Sequence, residues 1–92
     1  MRIYKEIEQE IISYHHYHKD KNVRLIKFVC DRKGKAVVLV RLVNEDNEKQ
    51  SVLNRFWWDG LSNRWAVEDY MWSSPEREKD MIDDYIEEDH GL

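Results

Sequence analysis

Near the middle of the chain, the stretch from Ala36 to Val43 is apolar at every position except Arg41. A strand with one face in water alternates apolar and polar residues, whereas a continuous apolar run is typical of a strand covered on both faces. The chain has only 92 residues, which is the length of one domain. We therefore expect a central strand with a helix on each side, unless a partner or a second copy in a homodimer covers one face.

Helical patterns lie at both ends of the chain. Between residues 2 and 18, Ile3, Ile7 and Ile11 recur at every fourth position. Near the C-terminus, Ser74 and Pro75 are typical of an N-cap and a first helical position. An apolar stripe follows them at helical spacing, formed by Met81, Ile82, Tyr85 and Ile86.

Between the helices, β-prone runs at 23–30, 36–43, 51–58 and 64–69 alternate with polar turns. Gly34 suits a turn with positive φ, and Asp59-Gly60 with Ser62-Asn63 forms the last turn. The sequence therefore predicts a single α+β domain over residues 1–92 with the order α-β-β-β-β-α. Its sheet is an antiparallel four-stranded meander, with the N- and C-terminal helices packed on it.

The cellular setting follows from what the chain lacks. Cys30 is its one cysteine, so no disulfide can form within the chain. The N-terminus has no signal-peptide stretch, and no segment approaches the ~20 apolar residues of a membrane span. These features favour a cytoplasmic protein with no membrane partner.

Charge is unevenly distributed along the chain, although the formal net charge is only −4. Residues 19–41 carry eight bases and two acids, whereas residues 73–92 carry eight acids and two bases. The first hairpin is therefore basic and the C-terminal segment acidic. Such a chain has either two oppositely charged binding surfaces or one end that neutralises the other.

No motif for catalysis, cofactor binding or metal binding is present. The serines lack a Gly-x-Ser-x-Gly context, and the three glycines are isolated rather than grouped in a phosphate-binding loop. His15, His16 and His18 are close in sequence, but a zinc site needs three or four ligands and no other residue has a suitable spacing. We expect no metal, no cofactor and no enzymatic activity.

Clustered carboxylates leave one enzymatic alternative open. Asp59 and the pair Glu68-Asp69 could converge near one end of the last hairpin, and paired carboxylates perform acid–base chemistry when a pocket raises one pKa. With 19 acids in 92 residues, however, some proximity is expected by chance. A small enzyme or enzyme subunit therefore stays an alternative.

Four tryptophans are many for so short a chain, and a small domain has little interior in which to bury them all. Interface hot spots favour Trp, Tyr and Arg. We therefore expect a binding surface whose aromatic anchors and neighbouring arginines are Trp57, Trp65, Trp72, Arg55 and Arg64. The same mixture suits single-stranded nucleic acid, whose bases stack on rings while cations contact phosphates, but the negative net charge argues against it.

The C-terminal helix carries acids that repel one another. The candidate binding residues on this helix are Asp80, Asp83, Asp84, Glu87 and Glu88. They can steer a basic partner or occupy the positively charged groove of a nucleic-acid-handling enzyme in place of phosphates. The simpler interpretation is a solvated helix face.

Small inhibitors and immunity proteins encoded by phages and mobile elements often combine a lone α+β domain, abundant charge and exposed aromatics. We therefore expect a non-enzymatic protein-binding module, an inhibitor that engages a basic protein through the acidic helix and exposed aromatics. Binding of single-stranded nucleic acid through the Trp/Arg hairpin is the alternative.

Overall fold

A computed structural model describes residues 2–32 and 34–89 of the protein, with the side chains of residues 5–31 and 34–86. The elements in chain order are α1 (Arg2–Tyr17), β1 (Lys21–Arg32), β2 (Lys35–Val43), β3 (Lys49–Asp59), β4 (Arg64–Ser73), a 3-10 helix (Pro75–Arg77) and α2 (Glu78–Asp89). This order confirms the predicted α-β-β-β-β-α domain. Neither described helix is long and apolar enough to cross a membrane.

The four strands form one antiparallel sheet in the order β1-β2-β3-β4, and a separate core lies on each face. The α1-side core contains Ile7, Ile11, Ala36, Val38, Val40, Leu42, Val52, Phe56 and Trp65, and the α2-side core contains Val37, Leu39, Leu53, Met81 and Tyr85. Successive residues of β2 enter opposite cores, which explains its continuous apolar run. Because both faces are covered within the chain, this run gives no reason to expect a homodimer.

A buried hydrogen-bond network connects the C-terminal end of α1 to the sheet. His15 follows Ile11 by one helical turn and is also buried. Its Nδ1 lies 2.8 Å from Oδ2 of Asp20, and its Nε2 lies 2.7 Å from Oδ1 of Asn54. The amide of Asn54 donates in turn to Oδ1 of Asp69 at 3.0 Å. Buried polar groups are costly without partners, so this network specifies where α1 ends.

β1 is longer than the predicted strand and is repeatedly irregular. Its pairing with β2 shifts three times, between Lys21 and Arg24, between Leu25 and Lys27, and between Phe28 and Cys30. Each shift places an extra residue in β1, as a β-bulge does. Three residues of β1 therefore span the same length as two residues of β2.

The C-terminal helical segment begins as a 3-10 turn at Pro75, the predicted first position. Ser74 occupies the predicted N-cap position, although its side chain makes no capping hydrogen bond. The start of α2 is held instead by Glu78, which accepts hydrogen bonds from Nε and Nη2 of Arg41 at 2.8 and 3.0 Å and from the hydroxyl of Ser51. Gly91, a residue type that favours a C-terminal helix cap, lies outside the described residues.

Candidate protein-binding surface

The four tryptophans differ widely in exposure: 40% for Trp57, 43% for Trp58, 6% for Trp65 and 66% for Trp72. The expectation that some indole rings stay exposed is confirmed. The expectation is wrong for Trp65. This residue lies opposite Trp58 on the face that α1 covers, and its ring packs in the α1-side core. The rings of Trp58 and Trp65 meet edge-to-face, with 5.6 Å between their centroids.

Trp57 and Trp58 do not form one aromatic platform. They are consecutive residues of β3, so their side chains point to opposite faces of the sheet. Trp57 lies opposite Ala66 on the α2 side, whereas Trp58 lies on the α1 side. Leu61 is fully exposed in the turn that follows. The β3–β4 hairpin therefore ends in an apolar tip with one ring on each side, which does not suit the stacking of successive bases.

Both candidate arginines have carboxylate partners. Nη2 of Arg55 lies 2.5 Å from Oε2 of Glu68, and its guanidinium carbon lies 4.5 Å from the centroid of the Tyr70 ring. Nη2 of Arg64 lies 3.7 Å from Oε2 of Glu10. These pairings reduce the positive charge that the hairpin offers to phosphates and so weaken the nucleic-acid hypothesis for this site.

The acidic residues of α2 differ in whether they form ion pairs. Asp83 accepts from Nζ of Lys79 at 3.0 Å, an ion pair between residues four positions apart. Asp80 and Asp84, also four apart, form no ion pair within the described part of the chain. The other two predicted acids, Glu87 and Glu88, have side chains that lie outside what the structure describes.

Trp72 and these two carboxylates line the same groove, although Trp72 lies opposite Val52 and its side chain therefore starts on the α1 side of the sheet. β4 continues to Ser73, beyond its predicted end at Asp69, so Trp72 belongs to the edge strand. The groove has a volume of about 190 Å³ and lies between the end of β4 and α2. Its lining residues are Met71, Trp72, Ser73, Arg77, Asp80, Met81 and Asp84. We call this site the Trp72 groove.

The Trp72 groove has the chemistry to receive a cationic side chain. The face of an indole ring attracts ammonium and guanidinium groups. The carboxylates of Asp80 and Asp84 can accept their N–H groups, and charge-assisted hydrogen bonds of this kind are the strong ones. Arg77 contributes one positive charge against the two carboxylates.

The carboxylates considered for catalysis do not meet. Asp59 accepts hydrogen bonds from residues of its own turn, chiefly Ser62, and these bonds hold the pKa of Asp59 below its ordinary value. Asp69 lies opposite Asn54, five residues before Asp59 on β3, which is a separation of about 17 Å along the strand. Glu68 points to the other face from Asp69. These three carboxylates therefore do not form a pair that could divide acid and base roles.

The histidines near the end of α1 do not form a cluster. His15 is buried in the hydrogen-bond network described above, whereas His18 is exposed and contacts the ring of Tyr14 at 4.7 Å between centroids. Among the described residues, no three potential ligands lie close enough to hold a metal ion. His90 lies outside those residues.

Comparison with known proteins finds no match: no protein family fits the chain, and no curated protein or solved structure is similar to it.

Two features of the structure were missed from the sequence. Asn54 occupies an inward position between Val52 and Phe56, and a polar residue at that position was the available signal for the buried network. The sequence gives no signal that Trp72 lines the same groove as Asp80 and Asp84. Trp72 lies on β4 and the aspartates lie on α2, and the angle between these two elements cannot be read from the sequence.

Proposed function

We propose that this protein is a non-enzymatic protein-binding module that takes a basic side chain of its partner into the Trp72 groove. One observation carries the proposal: Trp72, the most exposed of the four tryptophans, lines the same groove as Asp80 and Asp84, the two aspartates of α2 that form no described ion pair. Trp65 is in the core, so Trp72 replaces it as the main aromatic anchor.

The expected energetics suit a specific interaction. A cation over an indole face contributes about 0.5 kcal/mol in water and about 2 kcal/mol when the site is desolvated. A tryptophan that is covered by a partner is a typical hot spot, with losses of about 2 kcal/mol or more on truncation. Trp72 lies on an edge strand, so a partner segment can reach the ring from the side of the sheet.

The partner that fits best is a basic protein, and a nucleic-acid-handling protein is the class that we favour. Such proteins carry positively charged grooves for phosphates, and the carboxylates of Asp80 and Asp84 can occupy them. In this proposal the protein acts as a small inhibitor of the kind that phages and mobile elements encode. Acidic residues at the rim of an interface mainly accelerate association, and salt weakens that effect.

The test uses the immobilised protein and host lysate, with variants on and off the groove. Trp72→Ala and the double variant Asp80→Asn/Asp84→Asn should lose the captured partner. Trp57→Ala removes an exposed ring outside the groove, and Asp83→Asn removes the aspartate that Lys79 already pairs, so both should retain it. Equal capture by all variants, or loss only with Trp57→Ala, would assign binding to another surface.

A second measurement tests directly whether the partner binds at the Trp72 groove. In an NMR titration with the captured partner, or with an arginine-containing peptide from it, the indole Nε1–H signal of Trp72 should shift at substoichiometric ratios. The corresponding signal of Trp57 serves as an internal control. A shift of Trp57 without Trp72 would refute the Trp72 groove as the site.

A further inference from the structure

A row of cations lies along β1, on the same face of the sheet as α2. The bulges of β1 place Lys21, Arg24 and Lys27 opposite Val43, Arg41 and Leu39, which are alternate residues of β2. Leu39 belongs to the α2-side core, and alternate residues of a regular strand share a face. The three cations therefore share that face as well, although every third residue of an unbulged strand would alternate between faces.

The row is evenly spaced. Two residues of a regular antiparallel strand span about 6.8 Å, so successive cations of β1 are separated by about that distance along the sheet. Arg41 lies beside Arg24 on the next strand, and Lys49 lies opposite Val43 on β3. We call these five residues, Lys21, Arg24, Lys27, Arg41 and Lys49, the β1 basic surface.

A groove of about 610 Å³ runs along one end of this surface. Its lining includes Arg24, Arg41 and Lys49 and contains no carboxylate. The C-terminal helix packs against the middle of the sheet, through Met81 and Tyr85, and leaves this corner open. The groove is thus a concave site at the end of the sheet where Val43 lies between Lys21 and Lys49, and three cationic side chains line it.

The charges of the β1 basic surface are only partly compensated. Glu78 pairs with Arg41. Arg24 and Lys49 form no ion pair within the described part of the chain, and Lys21 donates to the neutral amide of Asn47 at 2.9 Å. Like charges directly opposite each other in a sheet, as Arg24 and Arg41 are, destabilise it. Glu78 offsets the charge of Arg41, so the charge of this pair that stays open to an anionic ligand is that of Arg24.

We propose that the β1 basic surface binds the phosphate backbone of nucleic acid. Charges repeated at even spacing along a line suit a ligand whose own charges repeat evenly, which a phosphodiester chain provides and the surface of an acidic protein does not. The bulges have a purpose in this proposal, because they bring successive cations to one face. This proposal does not depend on the Trp72 groove. If no protein partner binds that groove, the β1 basic surface can still bind nucleic acid.

The experiment measures fluorescence anisotropy of a labelled oligothymidine strand, titrated with the full-length protein between about 50 and about 200 mM salt. Three to four phosphate contacts predict a slope of log affinity against log salt of about −2 to −3. The variant Arg24→Gln/Lys27→Gln removes two contacts and should lower affinity roughly 20-fold near 0.1 M salt, with the slope reduced by about 1.4. Circular dichroism checks that this variant is folded.

Two controls make the result specific. Lys5→Gln/Lys79→Gln changes the net charge by the same amount away from β1, and its affinity should stay within about twofold of the original protein. A polyglutamate peptide of matched charge should compete at least about tenfold less well than unlabelled oligothymidine. The proposal is overturned by no binding at the lowest salt, by equal losses in both double variants, or by equal competition from polyglutamate, which would indicate an acidic protein ligand.

Discussion

Replacement of Trp65 by alanine separates its role in the core from the binding role expected from the sequence. A tryptophan buries about 150–250 Å², and at about 25 cal/mol per Å² this corresponds to about 4–6 kcal/mol. Measured losses for such truncations are about 3–5 kcal/mol. A chain of 92 residues has a total stability of about 5–14 kcal/mol. Trp65→Ala should therefore lose a large part of the stability of the fold.

Trp72→Ala is the matched comparison, because it removes the same ring from a site where two thirds of the residue is exposed. The same arithmetic on its covered third gives about 1.5 kcal/mol as an upper bound. Urea denaturation followed by far-UV circular dichroism measures both losses, since tryptophan fluorescence would change with the substitution itself. A loss below about 1 kcal/mol for Trp65→Ala, or a larger loss for Trp72→Ala than for Trp65→Ala, would refute this assignment of core and surface.

Three further perturbations test other parts of the fold by urea denaturation. Asn54→Ala leaves a ring nitrogen of His15 without its partner and should cost about 1–3 kcal/mol; an unchanged unfolding midpoint would contradict the buried network. The hydrogen bonds from Arg41 lower the pKa of Glu78, so this carboxylate stabilises the fold above its ordinary pKa of 4.5 and loses that effect as pH falls through the lowered value. Stability of the original protein should therefore fall more steeply on acidification than that of Glu78→Gln, and parallel pH curves would argue against the contribution. Gly34→Ala meets no neighbouring atom but forces a side chain into φ +78°, so it should cost about 1 kcal/mol, and a gain in stability would show that the turn relaxes.

Much of the architecture was predictable from local patterns. The helical spacing of Ile7 and Ile11, the apolar run of β2 and the turn at Asp59-Gly60 each depend on residues close together in the chain. The two-sided burial of β2 even predicted that a helix covers each face. The predicted exposure of Trp65 was wrong. The β3–β4 turn can be predicted from its residues, but the position of α1 over the sheet near Trp65 cannot.

The candidate sites depend on contacts that no local pattern contains. The register of β4 against β3 shifts once, between the pairs formed by Leu53 and Asn54, and such a shift turns every later side chain to the other face. That single bulge places Trp72 opposite Val52, and the 3-10 turn at Pro75 precedes the helix that brings Asp80 to the groove that Trp72 also lines. The sequence alone was sufficient to predict the helices and strands, because hydrophobic periodicity depends on residues that are close together in the chain. The grooves needed the folded chain, because strand register and helix direction emerge only when distant segments pack together.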